Sequence, residues 1–347
     1  MWGSLWPILA AILFFGVIIM THELGHFTFA KIFKVKVNEF SIGMGPTLFK
    51  KRKGDTQYSL RLLPIGGFVA MEGENEESDD ANSFNSKPAW QKAIIIIAGA
   101  MVNLITGILI MAVILGSAEL IGTPEISKME KNGSSVSQGL KVGDRIRYVN
   151  GHRIVTSYDL SFFMGNDKDG VVDFVVERNN ELVSLKRVTF DTFESEGHTF
   201  IKYDFNILGL EPTAGRVLKY AVLDSGSIAR IVVTSLKDLA TMQFAIEDMS
   251  GPVGTVDIIA DSASDAVTHR DPTALLTILA MIAINVGVFN LLPFPALDGG
   301  RFVFIIFEGI TGRKVPDEFQ ALVNSIGIAL LLGLMVLVTF SDIHKLF

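Results

Sequence analysis

Four long apolar runs, separated by polar stretches of very unequal length, set the plan of this chain. They cover roughly Pro7 to Phe29, Ala93 to Ile121, Ala274 to Leu292 and Ala321 to Phe340. At a rise of about 1.5 Å per residue, each is long enough to cross the roughly 30 Å hydrocarbon layer of a bilayer as a helix. Between the first two runs the period changes. Val37 to Phe49 and Gln57 to Ala70 alternate apolar and polar positions around the turn Lys50-Lys51-Arg52-Lys53-Gly54-Asp55, which predicts a β-hairpin. Its arms are interrupted by Gly43-Met44-Gly45-Pro46 and Pro64-Ile65-Gly66-Gly67. Such a hairpin either stays on the cytoplasmic side or dips into the membrane where protein or a water-filled cavity satisfies its backbone.

From about Gly122 to Pro272 the pattern turns soluble. Gly133 to Gly151 reads as a short helix start, a Gly-Asp turn, a strand and an Asn-Gly hairpin turn, and Val171 to Glu177 and Leu182 to Phe190 add two strands around Asn179-Asn180. Apolar residues then recur at helical spacing from Arg216 to about Glu247 (Ile228, Ile231, Val232, Leu236, Leu239, Met242). That amphipathic helix either lies on a membrane or covers the β-rich domain. Ser250-Gly251-Pro252-Val253-Gly254 breaks it before a second helical stretch leads into the third span. The expected organisation is a first membrane half over residues 1–121, a β-rich domain over 122–208, a helical linker over 209–273 and a second membrane half over 274–347.

Composition agrees with a polytopic α-helical membrane protein carrying one globular insert: of 347 residues, 49% are hydrophobic and only 19% charged. Ten Lys and Arg lie between the first two spans, and Arg301, Arg313 and Lys314 lie between the last two, so the excess of positive charge places both loops in the cytoplasm and both termini outside. The first run lacks a basic leader and reads as a retained signal anchor. A net charge of −7 gives no nucleic-acid footprint, and the acidic stretch from Glu72 to Asp80 reads as a solvated linker. With no cysteine in the chain, a metal has only His, Asp or Glu to bind.

The chemistry concentrates in His22-Glu23-Leu24-Gly25-His26, at the end of the first run. On a helix the two imidazoles, four residues apart, share one face with Glu23 beside them, the arrangement that binds Zn2+ and supplies a general base for hydrolysis. A histidine in an apolar segment is often mere packing, but two His and one Glu on one membrane helix are costly enough to imply function. Such a site needs a third ligand. His152 and His198 fall in the β-rich insert, His269 in the soluble region and His344 beyond the last span. Asp298 is the better candidate: it is the one acid in the Pro- and Gly-broken stretch Asn290 to Gly300, and both it and His26 end spans that run from outside to inside.

Taken together, these motifs resemble the site-2 protease family of intramembrane zinc metalloproteases, on its bacterial regulator-of-sigma-E protease branch. The resemblance rests on His22 to His26, the hairpin segments Phe40 to Gly43 and Leu63 to Val69, a PDZ-like segment near Gly139 to Gly151, Ser250 to Gly254, and the Asn-x-x-Pro-x-Pro-x-Leu-Asp-Gly pattern from Asn290. It implies a Zn2+ held by His22, His26 and Asp298, Glu23 as catalytic base, and Asn290, Gly43, Gly45, Pro293 and Pro295 as substrate-binding residues. It also implies transmembrane substrates already shortened outside the membrane, such as anti-sigma factors or remnant signal peptides. Two features depart from the pattern: Ala100 stands where the family commonly has proline, with Asn103 retained, and the insert has room for one PDZ domain. A peptide-binding scaffold would be expected to have lost Glu23 or a ligand, and a metal transporter to carry polar residues along several spans.

Overall fold

A computed structural model describes residues 6–345 apart from 75, 77, 132, 168, 196–197 and 242–250. Contacts divide the chain into two units, one formed by residues 1–107 with 235–347 and the other by 108–234.

The first unit is built on four helices long and apolar enough to cross a membrane: α1 (Trp6–Ile32), the greater part of α2 (Ala89–Ser117), and two that follow the insert. The chain is thus a membrane-embedded protein with β-sheet regions. Between α1 and α2 lie β1 (Val37–Lys53) and β2 (Thr56–Met71). They are more than a flat hairpin. Residues Glu39 to Ile42 pair on one side with Gln57 to Leu60 and on the other with Gly67 to Ala70, because both long strands fold back on themselves at their Gly- and Pro-rich interruptions. Gly43 sits at such a fold with φ +83°, where a side chain would also strike the Leu63 carbonyl at 2.5 Å. The folding leaves Gly67 to Met71 as an outer segment, with no strand partner on its far edge among the described residues.

The second unit begins with the C-terminal end of α2, which stops at Ser117, so that Ile121 belongs to a strand rather than to the span. Strands β3 (Ile121–Met129), β4 (Arg145–Val149), β5 (His152–Arg153), β6 (Val171–Arg178) and β7 (Glu181–Thr189) follow, with α3 (Ser134–Ser137) and α4 (Ser157–Gly165) between them. A small hairpin, β8 (Thr192–Ser195) with β9 (His198–Ile201), precedes β10 (Phe205–Leu210). The main sheet runs β10-β3-β4-β6-β7, with β5 paired to β4. The turns are those the sequence called for: Asn150 and Gly151, and Asn179 and Asn180, all adopt positive φ, as two-residue hairpin turns require. Alternate residues Val172, Phe174 and Val176 of β6 point into one core with Ile126, Ile146, Leu160 and Met164.

Helix α5 (Ala214–Ala240) begins in this second unit, where Arg230 and Ser227 hold the fully buried Asp159 of α4. The remainder of the segment expected to be helical, up to Glu247, lies outside the described residues. Helices α6 (Pro252–His269), α7 (Thr273–Leu291), α8 (Asp298–Thr311) and α9 (Asp317–Lys345) complete the first unit. Helix α6 packs against α1, α7 and α9. Its N-terminus is held from the last helix, where the buried Asp342 accepts the N–H groups of Gly251 and Gly254 at 3.0 and 2.9 Å.

The acidic stretch is a solvated linker only in part: Glu76 and Asp79 are exposed, Glu77 lies outside the described residues, and the other three acids are engaged. Glu72 accepts from Asn38 and Ser78, Asp80 pairs with Lys36 at 2.9 Å, and Glu74 turns inward. Composition alone predicts solvent, but the basic and polar partners brought round by the folded hairpin and by α8 supply another destination.

Candidate metal centre

One turn of α1 presents His22, Glu23 and His26 to a cavity of about 310 Å³. The same cavity is lined by Asp298 at the first position of α8 and by Phe68 to Met71, the outer segment of the folded hairpin. Both histidines are buried, with 9% and 7% of the residue surface exposed. Their Nε2 atoms lie 3.2 Å apart, and Asp298 Oδ2 lies 3.1 Å from the first and 3.2 Å from the second.

This triangle fits a tetrahedral cation. Ligand bonds of about 2.0–2.1 Å around zinc put neighbouring donor atoms about 3.3 Å apart. The chemistry of the three donors demands the same thing. His26 Nδ1 is 2.8 Å from the Ile95 carbonyl, which can only accept, so the proton sits on Nδ1 and Nε2 presents a lone pair. His22 Nδ1 faces the Asn103 carboxamide at 3.4 Å. The atom nearest the ring is Asn103 Nδ2, and Oδ1 accepts from Thr21 Oγ1 at 3.1 Å; the tautomer that frees His22 Nε2 takes the carboxamide in its flipped orientation, where the oxygen accepts the Nδ1 proton. Asp298 Oδ2 is buried without a hydrogen-bond donor among the described residues. Three lone-pair atoms thus converge with nothing between them, which is repulsive without a cation.

Helix α2 makes room for that cation. A Cβ on Gly99 would lie 2.4 Å from His26 Nε2 and 2.9 Å from His22 Cε1. Glycine is therefore the residue that lets a second helix pass directly behind both ligands. Gly67 does the same for the strand: a Cβ there would meet Glu23 Cγ at 3.2 Å. The backbone of the outer hairpin segment runs immediately beside the candidate base.

Asp298 is aimed by a strained turn. Ala296 has φ +74°, which costs a non-glycine residue roughly 1–2 kcal/mol. Its N–H is held by Asn324 Oδ1 of α9 at 3.2 Å, and the Pro295 carbonyl presses against α9 where Gly327 leaves space. Sequence reasoning missed Ile95, Gly99, Ala296 and Asn324. The glycine in an otherwise bulky Ile-Ile-Ile-Ile-Ala-Gly-Ala run was the available signal for Gly99; nothing in the sequence marked a backbone carbonyl or a strained alanine.

The structure brings His22, Glu23, His26 and Asp298 into one cavity. Asn290 lies partly buried near the end of α7, Pro293 is exposed, Pro295 packs toward α9, and Gly43 and Gly45 lie at the fold of β1 with φ +83° each. None of these five is among the residues lining the cavity.

The model of peptidase family M50 matches residues 10–334. A Clostridium acetobutylicum protein carrying a zinc metalloprotease name is 37% identical over 346 residues, covering 98% of both chains. The regulator of sigma-W protease RasP of Bacillus subtilis is 28% identical, covering 98% of this chain and 99% of its own, and zinc metalloprotease RasP of Bacillus licheniformis is 30% identical over the same shares. The alignment with the Bacillus subtilis protein runs to 423 positions, beyond this chain's own length, so that relative carries residues this chain lacks. The chain belongs to peptidase family M50, the site-2 proteases, and is a zinc metalloprotease embedded in a membrane.

Proposed function

We propose that this protein cuts the transmembrane segments of single-span membrane proteins inside the bilayer, with Zn2+ held by His22, His26 and Asp298 and with Glu23 as general base. The observation that carries this reading is the convergence of three lone-pair donors beside Glu23 in one cavity, at the end of a helix apolar enough to span a membrane. When bound, Zn2+ polarises the scissile carbonyl and acidifies water. Glu23 takes a proton from the attacking water and passes it to the leaving nitrogen.

A helical substrate hides its carbonyls in its own hydrogen bonds, so it must unwind before attack. The outer edge of Gly67 to Met71 can receive an extended segment by strand addition, with Gly67 letting that backbone lie against Glu23. Asn290, Pro293, Pro295, Gly43 and Gly45 serve the substrate at a distance from the metal, with Asn290 donating to its backbone. Anti-sigma factors and remnant signal peptides, already shortened outside the membrane, are the substrate classes this reading favours. The basic loops favour a centre near the cytoplasmic side of a bacterial inner membrane, with both termini and the β-rich unit outside. We read that unit as PDZ-like, on the basis of its six-stranded antiparallel sheet, a separate two-stranded hairpin and two short helices.

The test is co-expression with tagged single-span proteins, comparing the native chain with Glu23→Gln. A fragment cut within the transmembrane segment, lost on chelation and absent with Glu23→Gln, is expected. Cleavage only in soluble loops would refute the intramembrane assignment.

A further inference from the structure

The catalytic cavity has a neighbour. A second cleft, of about 60 Å³, is lined by Lys92 of α2, Phe304 and Glu308 of α8, Lys314 of the connection after α8 and Asp317 at the start of α9, with further residues of the hairpin-to-α2 connection. The two cavities have two lining residues in common, Glu74 and Arg301. These two residues are bound to each other, Arg301 Nη1 donating to Glu74 Oε1 at 2.5 Å. Glu74 follows β2 and is tied to its end, its Oε2 accepting the Met71 N–H at 3.3 Å. Arg301 lies one turn along α8 from Asp298. The ion pair is therefore a wall between the metal centre and an outer charged cleft, which itself contains the pair Lys92–Glu308 at 3.5 Å.

A wall made of charge is an expensive choice. Glu74 has a side chain only 9% exposed and Arg301 one 31% exposed, and an ion pair this buried seldom repays its desolvation in stability. Apolar side chains such as Phe68, Val69, Met71 and Ile96 line other parts of the same cavity and would partition it at less cost. What a charged wall offers is the ability to open without exposing apolar surface. The reaction gives it a reason to open. Water adds its oxygen to the carbonyl carbon, the C–N bond breaks, and the protons end on the nitrogen, so a neutral amide and one water become a carboxylate and an ammonium. Two charged chain ends then exist where there were none, and a polar route out is needed.

We propose that Glu74 and Arg301 are a two-residue gate between the catalytic cavity and the charged cleft, opened once per turnover to admit water and release the newly charged chain end. This rests on the proteolytic reading above. Neither residue touches the reacting bond; both set its access to water.

The natural absence of cysteine makes the test clean. Glu74→Cys/Arg301→Cys is prepared in the full-length protein and bridged with a reducible bifunctional thiol reagent, and its rate on a fluorogenic transmembrane peptide is compared with that of the same molecules before bridging and after reduction. The expected result is at least a tenfold fall in kcat on bridging, with KM and zinc content unchanged and recovery on reduction. A bridged enzyme at its unbridged speed would overturn the gate. If the double cysteine variant is inactive before bridging, the exchange Glu74→Arg/Arg301→Glu decides instead. It should recover at least tenfold in kcat over Glu74→Arg and Arg301→Glu alone, and an exchange no better than the single variants would overturn the proposal. The native protein, with Glu23→Gln as its control, is run alongside: no chelator-sensitive cleavage by the native chain defeats the proteolytic reading itself, whereas normal native cleavage with an indifferent gate defeats only this inference.

Discussion

Gly99→Ala adds one methyl group on α2, a helix that supplies none of the three candidate donors, and should empty the metal centre. The added Cβ would sit 2.4 Å from His26 Nε2 and 2.8 Å from its Cε1. An ordinary contact needs about 3.5 Å, so the ring must move by about 1 Å. Ligand positions tolerate about 0.2 Å, and the ring is not free to slide: its Nδ1 is held by the Ile95 carbonyl at 2.8 Å. Disturbing only the partners of a ligand costs about 10- to 100-fold in metal affinity. Displacing the ligand itself should cost at least the upper figure, about 2.7 kcal/mol, with overpacking of α1 against α2 adding about 1–3 kcal/mol of destabilisation. The assay is zinc stoichiometry of the purified protein by mass spectrometry of the metal, with peptide cleavage in parallel. Gly116→Ala is the control: on the same helix, with nothing within 4 Å of its Cβ position, it should gain up to about 1 kcal/mol from helix propensity and keep its zinc. Full zinc and full activity in Gly99→Ala would refute the placement of α2 behind the ligands.

Three further outcomes are expected. Glu23→Gln should abolish cleavage while zinc stays near one per chain, because the amide keeps its shape but accepts no proton; near-native activity would remove Glu23 as base. Asp298→Asn should lower both zinc content and activity, since a neutral amide is the poorer ligand and leaves the dication less compensated; undiminished zinc would send the search for a third ligand elsewhere. In the β-rich unit, burial pushes the Asp224 carboxyl up to about 7 from an ordinary 3.8, with the Asp159 charge adding to the shift and Thr156 opposing it. The folded state then holds a proton that the unfolded state has already released, so stability contributed by this group is present below about pH 4 and lost as pH rises toward 7, at up to about 1.4 kcal/mol per unit. Hydrogen exchange of α4 and α5 across that window should lose its pH dependence in Asp224→Asn, and an unchanged slope would rule the group out.

The parts of the fold that repeat were legible, and the parts that depend on one close contact were not. Four apolar runs gave four helices long and apolar enough to span a membrane among the described residues, because length and hydropathy alone decide them. Asn150-Gly151 and Asn179-Asn180 gave hairpins because positive φ selects those residues. The meeting of His22, His26 and Asp298 was legible because His and Asp in or beside long apolar runs have few other uses. By contrast, the hairpin's return on itself, pairing Glu39 with both Gln57 and Ala70, follows from where two interrupted arms meet in space. No period in the sequence encodes it. Glu74 was misplaced for the opposite reason: in a run of acids it looked like its solvated neighbours, and its partner is 227 residues away.

Two helices that carry none of the candidate donors, α2 and α9, do much of the aiming. Helix α2 supplies an acceptor for His26, a carboxamide for His22 and the absent side chain of Gly99, so three of its residues fix the rotation of both rings without touching the cation. Helix α9 acts on the third ligand at one remove, since Asn324 holds the strained Ala296 and Gly327 admits Pro295, and α8 can begin at Asp298 only when that turn is made. Strain of this kind persists only where surrounding packing overdetermines it. The same α9 receives the N-terminus of α6 on Asp342, and α6 packs against α1. Helix α1, with two of the candidate donors, and α8, with the third, are therefore tied through one common helix. Their separation, on which a triangle of 3.1 to 3.2 Å depends, is set by α9 as much as by the residues of the centre itself.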